Sequence, residues 1–154
     1  MTRHINSVAV LGCGTMGSGI AAASAAAGCQ VLMLDVTLEA AERGLAEVSD
    51  ADRHLVRTGT LSDLADVATY DWICEAIVED LDTKRDLFAR LEPIRKDGSV
   101  ISSNTSGIPL RDIAAGMPDR FQADVAITHF QLDVRAVRVS RCNRSRAGNC
   151  EDSA

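Results

Sequence analysis

The sequence predicts an α/β fold, doubly wound about a mostly parallel sheet. Three observations predict it. Short, β-branched apolar runs recur along the chain up to Phe130, the pattern of strands buried on both faces. Segments of helical spacing lie between them, and such alternation builds a parallel sheet flanked by helices. A cluster of glycines, Gly12, Gly14, Gly17 and Gly19, follows the first run at once.

Each element has its own signal. Ile5–Leu11 is a strand, and Ile20–Ala27 is an alanine-rich helix that stops at Gly28. Val31–Leu34 is the second strand, which completes a βαβ unit. Leu38–Val48 has helical spacing, and His54–Arg57 reads as a short strand. Thr60 or Ser62 caps a helix over Leu61–Val67. Asp71–Ala76 is a strand, and Asp82–Leu91 is a charged amphipathic helix ended by Pro93. Val100–Ser103 is a strand, Pro109–Ala115 a short helix with proline in its first turn, and Val125–Phe130 the last of six strands. From Gln131 to Ala154 no strand or helix periodicity is read, and Arg135, Arg138, Arg141, Arg144 and Arg146 recur at short spacing. The expected organisation is a domain over 1–130 and a divergent, disordered tail over 131–154.

The chain has 154 residues, 25% charged and 46% hydrophobic, which is the balance of a soluble domain. A net charge of -6 gives no reason to expect nucleic acid or an anionic membrane as partner. The five cysteines are odd in number and form no C-x-x-C pair, so unpaired thiols in a reducing cytoplasm are expected. The three histidines are scattered, and no metal site is expected. The stretch Val8–Asp35 carries no charge before its last residue, which invites comparison with a signal peptide or membrane helix. Its four glycines and weakly hydrophobic alanines argue against both.

Gly12, Gly14 and Gly17 form G-x-G-x-x-G between a strand and a helix, and Asp35 ends the next strand 18 residues after Gly17. In that context the motif points to a Rossmann-type, dinucleotide-binding unit. Gly12 permits the tight turn, Gly14 lets a pyrophosphate approach the backbone, and Gly17 lets helix and strand pack closely. The helix N-terminus, with Thr15 and Met16, offers free N–H groups and the positive dipole end. Asp35 suits the two ribose hydroxyls and repels a 2′-phosphate, which favours NAD over NADP. The bland alternative is a glycine turn used for packing and a surface aspartate.

Three later stretches narrow the chemistry: "ICEAIVEDLDTKRDLFARLEP" at Ile73–Pro93, "SSNTSGIPL" at Ser102–Leu110 and "RFQADVAITHF" at Arg120–Phe130. With "GCGTMGSGIA" at Gly12–Ala21 they resemble, in order, the NAD-binding domain of the L-3-hydroxyacyl-CoA dehydrogenase family. The resemblance implies oxidation of the 3-hydroxyl of a fatty acyl-CoA, with hydride passed to NAD+. It implies that Glu79 and Lys84 lie near the nicotinamide end of the cofactor. Asn104 and Ser106 match positions that contact cofactor and substrate, and His129 matches the catalytic histidine. A neutral imidazole suits removal of a hydroxyl proton. On the residues alone, Glu79 and Lys84 fit a solvated helix start, Asn104–Ser106 an ordinary turn, and His129 a structural histidine.

The resemblance stops after Phe130. Family members continue with a second aromatic, Asn-Pro and a glutamate that orients the histidine; here "QLDVRAVRVS" follows, with Arg141 near the glutamate's place. The connection from Asp35 to Asp71 is shorter than in many members, where a longer helical pair contacts CoA. The family's C-terminal helical domain, which shapes the acyl pocket and forms the dimer, has no counterpart in this chain. The expectation is a truncated form with an unnatural tail, such as a shifted reading frame produces, and a family-like fold over 131–154 would contradict it. A homo-oligomer or a completing partner chain stays open, as does a module that holds NAD without competent catalysis.

Overall fold

The computed structural model of the protein describes residues 4–130 and 137–141. The strands are β1 (Ser7–Leu11), β2 (Gln30–Asp35), β3 (Val56–Thr60), β4 (Trp72–Glu75), β5 (Val100–Ser103), β6 (Val125–Phe130) and β7 (Val137–Arg141). They form one sheet in the order β3-β2-β1-β4-β5-β6-β7. All neighbours are parallel except β6 and β7, which pair antiparallel. The helices are α1 (Thr15–Ala26), α2 (Leu38–Leu45), α3 (Leu81–Leu91), α4 (Leu110–Ala114) and α5 (Asp119–Asp124).

Alternation along β1 explains why both faces are covered. Val8 and Val10 point to one side, into a cluster with Ile20, Ala21 and Ala25 of α1 and Met33. Ala9 and Leu11 point to the other, where Leu34, Ile73 and Ile101 meet Leu87 and Phe88 of α3 and Phe121 of α5. The chain runs outward from β1 through β2 and β3, then returns to β4 on β1's other side. That reversal opens a crevice at the C-terminal ends of β1 and β4, where ligands of such sheets bind.

Several elements differ from the sequence reading, among them α5, which was not read. α1 begins at Thr15 rather than Ile20. Glycines 17 and 19 weaken a helix by propensity, but here the close packing of Gly17 decides. The third strand is Val56–Thr60, and Arg53–Leu55 before it forms a 3-10 turn. Val-Arg-Thr-Gly-Thr lacks a continuous apolar run because β3 is an edge strand. Val137–Arg141 is a strand where none was read, and its register sets His129 opposite Arg138 and Ala126 opposite Arg141. The rest of the expected tail lies outside the described residues. Leu61–Thr69 is 3-10 helix broken at Asp63, whose carboxylate accepts from the N–H and hydroxyl of Thr60. Among the described residues no helix is long and apolar enough to cross a membrane.

Candidate cofactor and active site

The glycine loop divides its labour. Gly12 has φ 96°, and a Cβ there would lie 2.5 Å from the carbonyl oxygen of Ala76. A Cβ on Gly17 would lie 1.7 Å from the carbonyl oxygen of Gly12. Both glycines are therefore required by packing. Gly14 is different: nothing lies within 4 Å of where its Cβ would be. The protein itself makes no demand for glycine there, and the open space is what a pyrophosphate against the backbone needs.

The start of α1 supports the same conclusion. Gly14 is its N-cap, no side chain caps it, and its first turn holds no acidic residue. Thr37 caps α2 and Asp80 caps α3 through side-chain oxygens. α1 alone of these three leaves its first-turn amides and positive dipole end free for an anion.

Asp35 closes the loop. One carboxylate oxygen accepts from Cys13 N–H at 2.6 Å and the other from Val36 N–H at 2.6 Å. The carboxylate is thus fixed at the end of β2, with lone pairs remaining for hydroxyl donors. Burial, then the Asp35 charge, pushes the Cys13 thiol up to about 12, so this loop cysteine stays protonated. A cavity of about 890 Å³ is lined by Gly14, Thr15, Met16, Asp35, Arg43 and Phe130, among others. Gly44 of α2 packs beneath it, where a Cβ would meet the Cys13 carbonyl at 2.8 Å. The sequence reading passed over Gly44, although a glycine inside a helix is a signal of close approach.

The second part of the site is a chain of charges, buried at Glu75 and Lys84 and exposed at Glu79. Lys84 is 1% exposed, not solvated, and its Nζ lies 2.6 Å from Glu75 Oε1. Glu75 also accepts from Ile77 N–H at 2.7 Å and from the Ser103 hydroxyl at 2.5 Å. Lys84 Nζ lies 3.5 Å from Glu79 Oε2. Glu79 Oε1 accepts from the Thr105 hydroxyl and from the N–H groups of Ser106 at 3.1 Å and Gly107 at 3.0 Å. Burial works to raise the pKa of Glu79; the bonds from Thr105, Gly107 and Ser106 and the Lys84 charge outweigh it and hold the pKa below its ordinary value. Glu75 and Ser103 escaped the sequence reading. The signal was an acidic residue closing an apolar strand, as Asp35 closes β2.

Asn104 follows β5, with its N–H on the Glu75 carbonyl at 2.8 Å. Its side-chain Oδ1 is buried and has no hydrogen-bond partner among the described residues. Ser106 is exposed, two residues on. His129 is exposed on β6, two residues beyond Ile127, which pairs with Ser103. Glu79, from the segment between β4 and α3, thus binds the turn that carries Asn104 and Ser106, and His129 lies on the neighbouring strand. Lys84 instead reaches the site only through Glu79. β7, Val-Arg-Val-Ser-Arg, supplies no carboxylate, and Arg141 stands opposite Ala126 rather than His129. No hydrogen bond to the His129 ring is found among the described residues.

Known proteins share this architecture. The family described as 3-hydroxyacyl-CoA dehydrogenase, NAD binding domain, matches residues 7–140. A Bacillus subtilis protein named "Probable 3-hydroxyacyl-CoA dehydrogenase" is 37% identical over 170 residues, covering 90% of this chain and 22% of its own length. The 3-hydroxyadipyl-CoA dehydrogenase of Escherichia coli K12 is 34% identical over 147 residues, covering 84% of this chain and 30% of its own. Among solved structures, (S)-3-hydroxybutyryl-CoA dehydrogenase from Ralstonia eutropha superposes with a TM-score of 0.78 at 28% identity, covering 90% of this chain and 54% of that one. This chain therefore spans well under two thirds of the curated relatives it matches. By that match over most of its length, the chain belongs to the NAD-binding domain family of the 3-hydroxyacyl-CoA dehydrogenases.

Proposed function

We propose that the chain binds NAD at the glycine loop and takes part in NAD-dependent oxidation of a 3-hydroxyacyl-CoA to the 3-ketoacyl-CoA. The observation that carries the reading is Gly14: a position open on the protein side, at the uncapped end of α1, beside a fixed Asp35. Asp35 takes the ribose hydroxyls, and the first-turn amides of α1 take the pyrophosphate. Val36 and Val78, both exposed, offer apolar surface to the adenine. NAD+, when bound, supplies the acceptor for the hydride that leaves C3 of the substrate.

His129 takes the proton of the 3-hydroxyl and becomes cationic as the carbonyl forms. Asn104 and Ser106 hold the substrate oxygen from the turn after β5. The test is acetoacetyl-CoA-dependent oxidation of NADH by the purified chain. His129→Asn should lower its rate by roughly 10²–10⁴. A rate indifferent to that substitution contradicts the assignment.

One observation favours a second reading, an NAD-binding module without competent catalysis. His129 is exposed, and β7 carries no carboxylate to orient it. Under this reading NADH binds, acetoacetyl-CoA elicits no oxidation, and a partner chain or second copy would complete the site. The thiols of Cys13, Cys29 and Cys74 are free, which suits a reducing compartment such as the cytoplasm.

A further inference from the structure

We infer that Gly44 is a positioning residue for the cofactor site: through it α2 rests on the glycine loop and sets the tilt of the peptide between Cys13 and Gly14. The inference rests on the reading of the glycine loop as the NAD site. Gly44 lies in the last turn of α2, where it is buried like Ala41 one turn before it. A glycine inside a helix weakens that helix relative to alanine, so its surroundings must account for it. A Cβ at this position would lie 2.8 Å from the Cys13 carbonyl oxygen, 2.9 Å from Met33 Cε and 3.0 Å from Cys13 Cβ. Two of these three neighbours belong to the glycine loop. Helix and loop therefore meet backbone against backbone.

The loop is tied to β2 as well. Gly12 N–H donates to the Leu34 carbonyl at 2.8 Å, and Cys13 N–H to Asp35 Oδ2 at 2.6 Å. The Cys13 thiol adds a third tie, 3.5 Å from the Leu34 carbonyl oxygen. Cys13 is thus held by β2 at its N–H and side chain, and its carbonyl meets α2. The peptide that begins with this carbonyl is planar and trans, so its N–H, which belongs to Gly14, points away from the oxygen. Whatever displaces the Cys13 carbonyl swings the Gly14 N–H with it. Gly14 is the N-cap of α1 and lines the cavity together with Asp35. The three neighbours of Gly44 differ in what they can yield. Met33 Cε is the far end of a flexible side chain and can step aside, whereas the Cys13 carbonyl moves only with the loop. α2 is itself anchored, by the Thr37 hydroxyl that accepts from Ala40 N–H at 3.2 Å and by buried Ala41 and Val48. A side chain at position 44 therefore displaces the loop.

The experiment compares Gly44→Ala with the double variant Gly44→Ala/Met33→Leu and with Thr37→Ala. Leucine is shorter than methionine at nearly the same volume, so the double variant relieves the contact inside the core and leaves the one with the loop. NMR on the ligand-free chain reads hydrogen exchange at the Cys13 amide and the position of the Gly14 amide resonance; calorimetry reads NADH affinity. Gly44→Ala should speed Cys13 exchange by about tenfold or more, shift the Gly14 resonance and weaken NADH binding by about tenfold or more. The double variant should regain thermal stability while Cys13 exchange, the Gly14 resonance and NADH affinity stay altered. Thr37→Ala removes an exposed cap and keeps the fold. It should speed exchange in α2, and Cys13 exchange should rise with it by about threefold or more. Parental Cys13 exchange and an unmoved Gly14 resonance in Gly44→Ala would overturn the inference. So would NADH affinity that recovers together with stability in the double variant, because core packing would then be the whole role of Gly44. If neither alanine variant folds, Thr37→Ala decides: faster exchange in α2 with Cys13 unchanged overturns the inference. If the parent chain binds no NADH, the function proposed above fails, and exchange and resonance alone still decide whether Gly44 sets the loop.

Discussion

Lys84 Nζ lies 2.6 Å from Glu75 Oε1, with 1% and 0% of the two side chains exposed. Neither charge is solvated, so each depends on the other and on the donors around them. Removing one partner leaves an uncompensated buried charge, which typically costs about 3–5 kcal/mol. Lys84→Met should therefore destabilise the domain by about that amount in urea denaturation. Glu75→Gln combined with Lys84→Met should cost less than the sum of the single changes, because the pair is lost together.

The glycine loop yields a paired prediction. Gly17→Ala drives a Cβ to 1.7 Å from a carbonyl oxygen, and Gly14→Ala meets nothing within 4 Å. The first should destabilise the fold by several kcal/mol, roughly 3 or more, through overpacking of backbone on backbone. The second should stay within about 1 kcal/mol of the parent in thermal denaturation. Gly14→Ala should nevertheless weaken NADH binding by about tenfold or more, since the methyl occupies the pyrophosphate's approach. A Gly14→Ala variant that binds NADH like the parent would remove the ligand-based reason for glycine there.

At the opposite end of the sheet, Asp71 sets an acid limit on stability. Its carboxylate accepts from the N–H groups of Asn6 and Ser7, the Ser7 hydroxyl and Lys96 Nζ. The Lys96 bond is the largest influence, and together these pull the pKa down to about 2 against opposition from burial. A carboxylate with a depressed folded pKa stabilises fully above its unfolded value of roughly 3.9. That contribution is lost as pH falls from about 4 through about 2. Asp71→Asn should flatten the pH dependence of stability in that window, with its full deficit at pH 7 and little deficit near pH 2.

In the proposed function Asp35 carries cofactor choice. Its two oxygens hold Cys13 N–H and Val36 N–H, so the charge is fixed at the end of β2. Asp35→Ser should narrow the preference for NADH over NADPH by about tenfold or more, measured as the ratio of dissociation constants. An unchanged ratio would place discrimination elsewhere.

The path from sequence to site was legible where apolar period and glycine spacing agree. The strands read at Ile5–Leu11 and Val31–Leu34 are found at Ser7–Leu11 and Gln30–Asp35. Lys84 was harder, because charge on a helix start suggests solvent. Its spacing to Leu87, Phe88 and Leu91 nonetheless places it on the buried face of α3. The identity of its partner was not in the local pattern: Glu75 lies on another element, and only the fold brings the two together. β7 was missed for a similar reason. Val-Arg-Val-Ser-Arg alternates with the period of a strand, but the recurring arginines on either side suggested a solvated tail. The motif gives Gly12 and Gly14 different roles, and the surroundings of each Cβ position differ accordingly: crowded at Gly12, open at Gly14.

In the proposed function this chain alone forms a working NAD site. The most direct measurement is calorimetric titration of the purified, folded chain with NADH and, in parallel, NADPH. Saturable binding of NADH, with NADPH weaker by about tenfold or more, is the predicted result. Absence of saturable binding by either nucleotide, in a sample whose fold is verified, would contradict it.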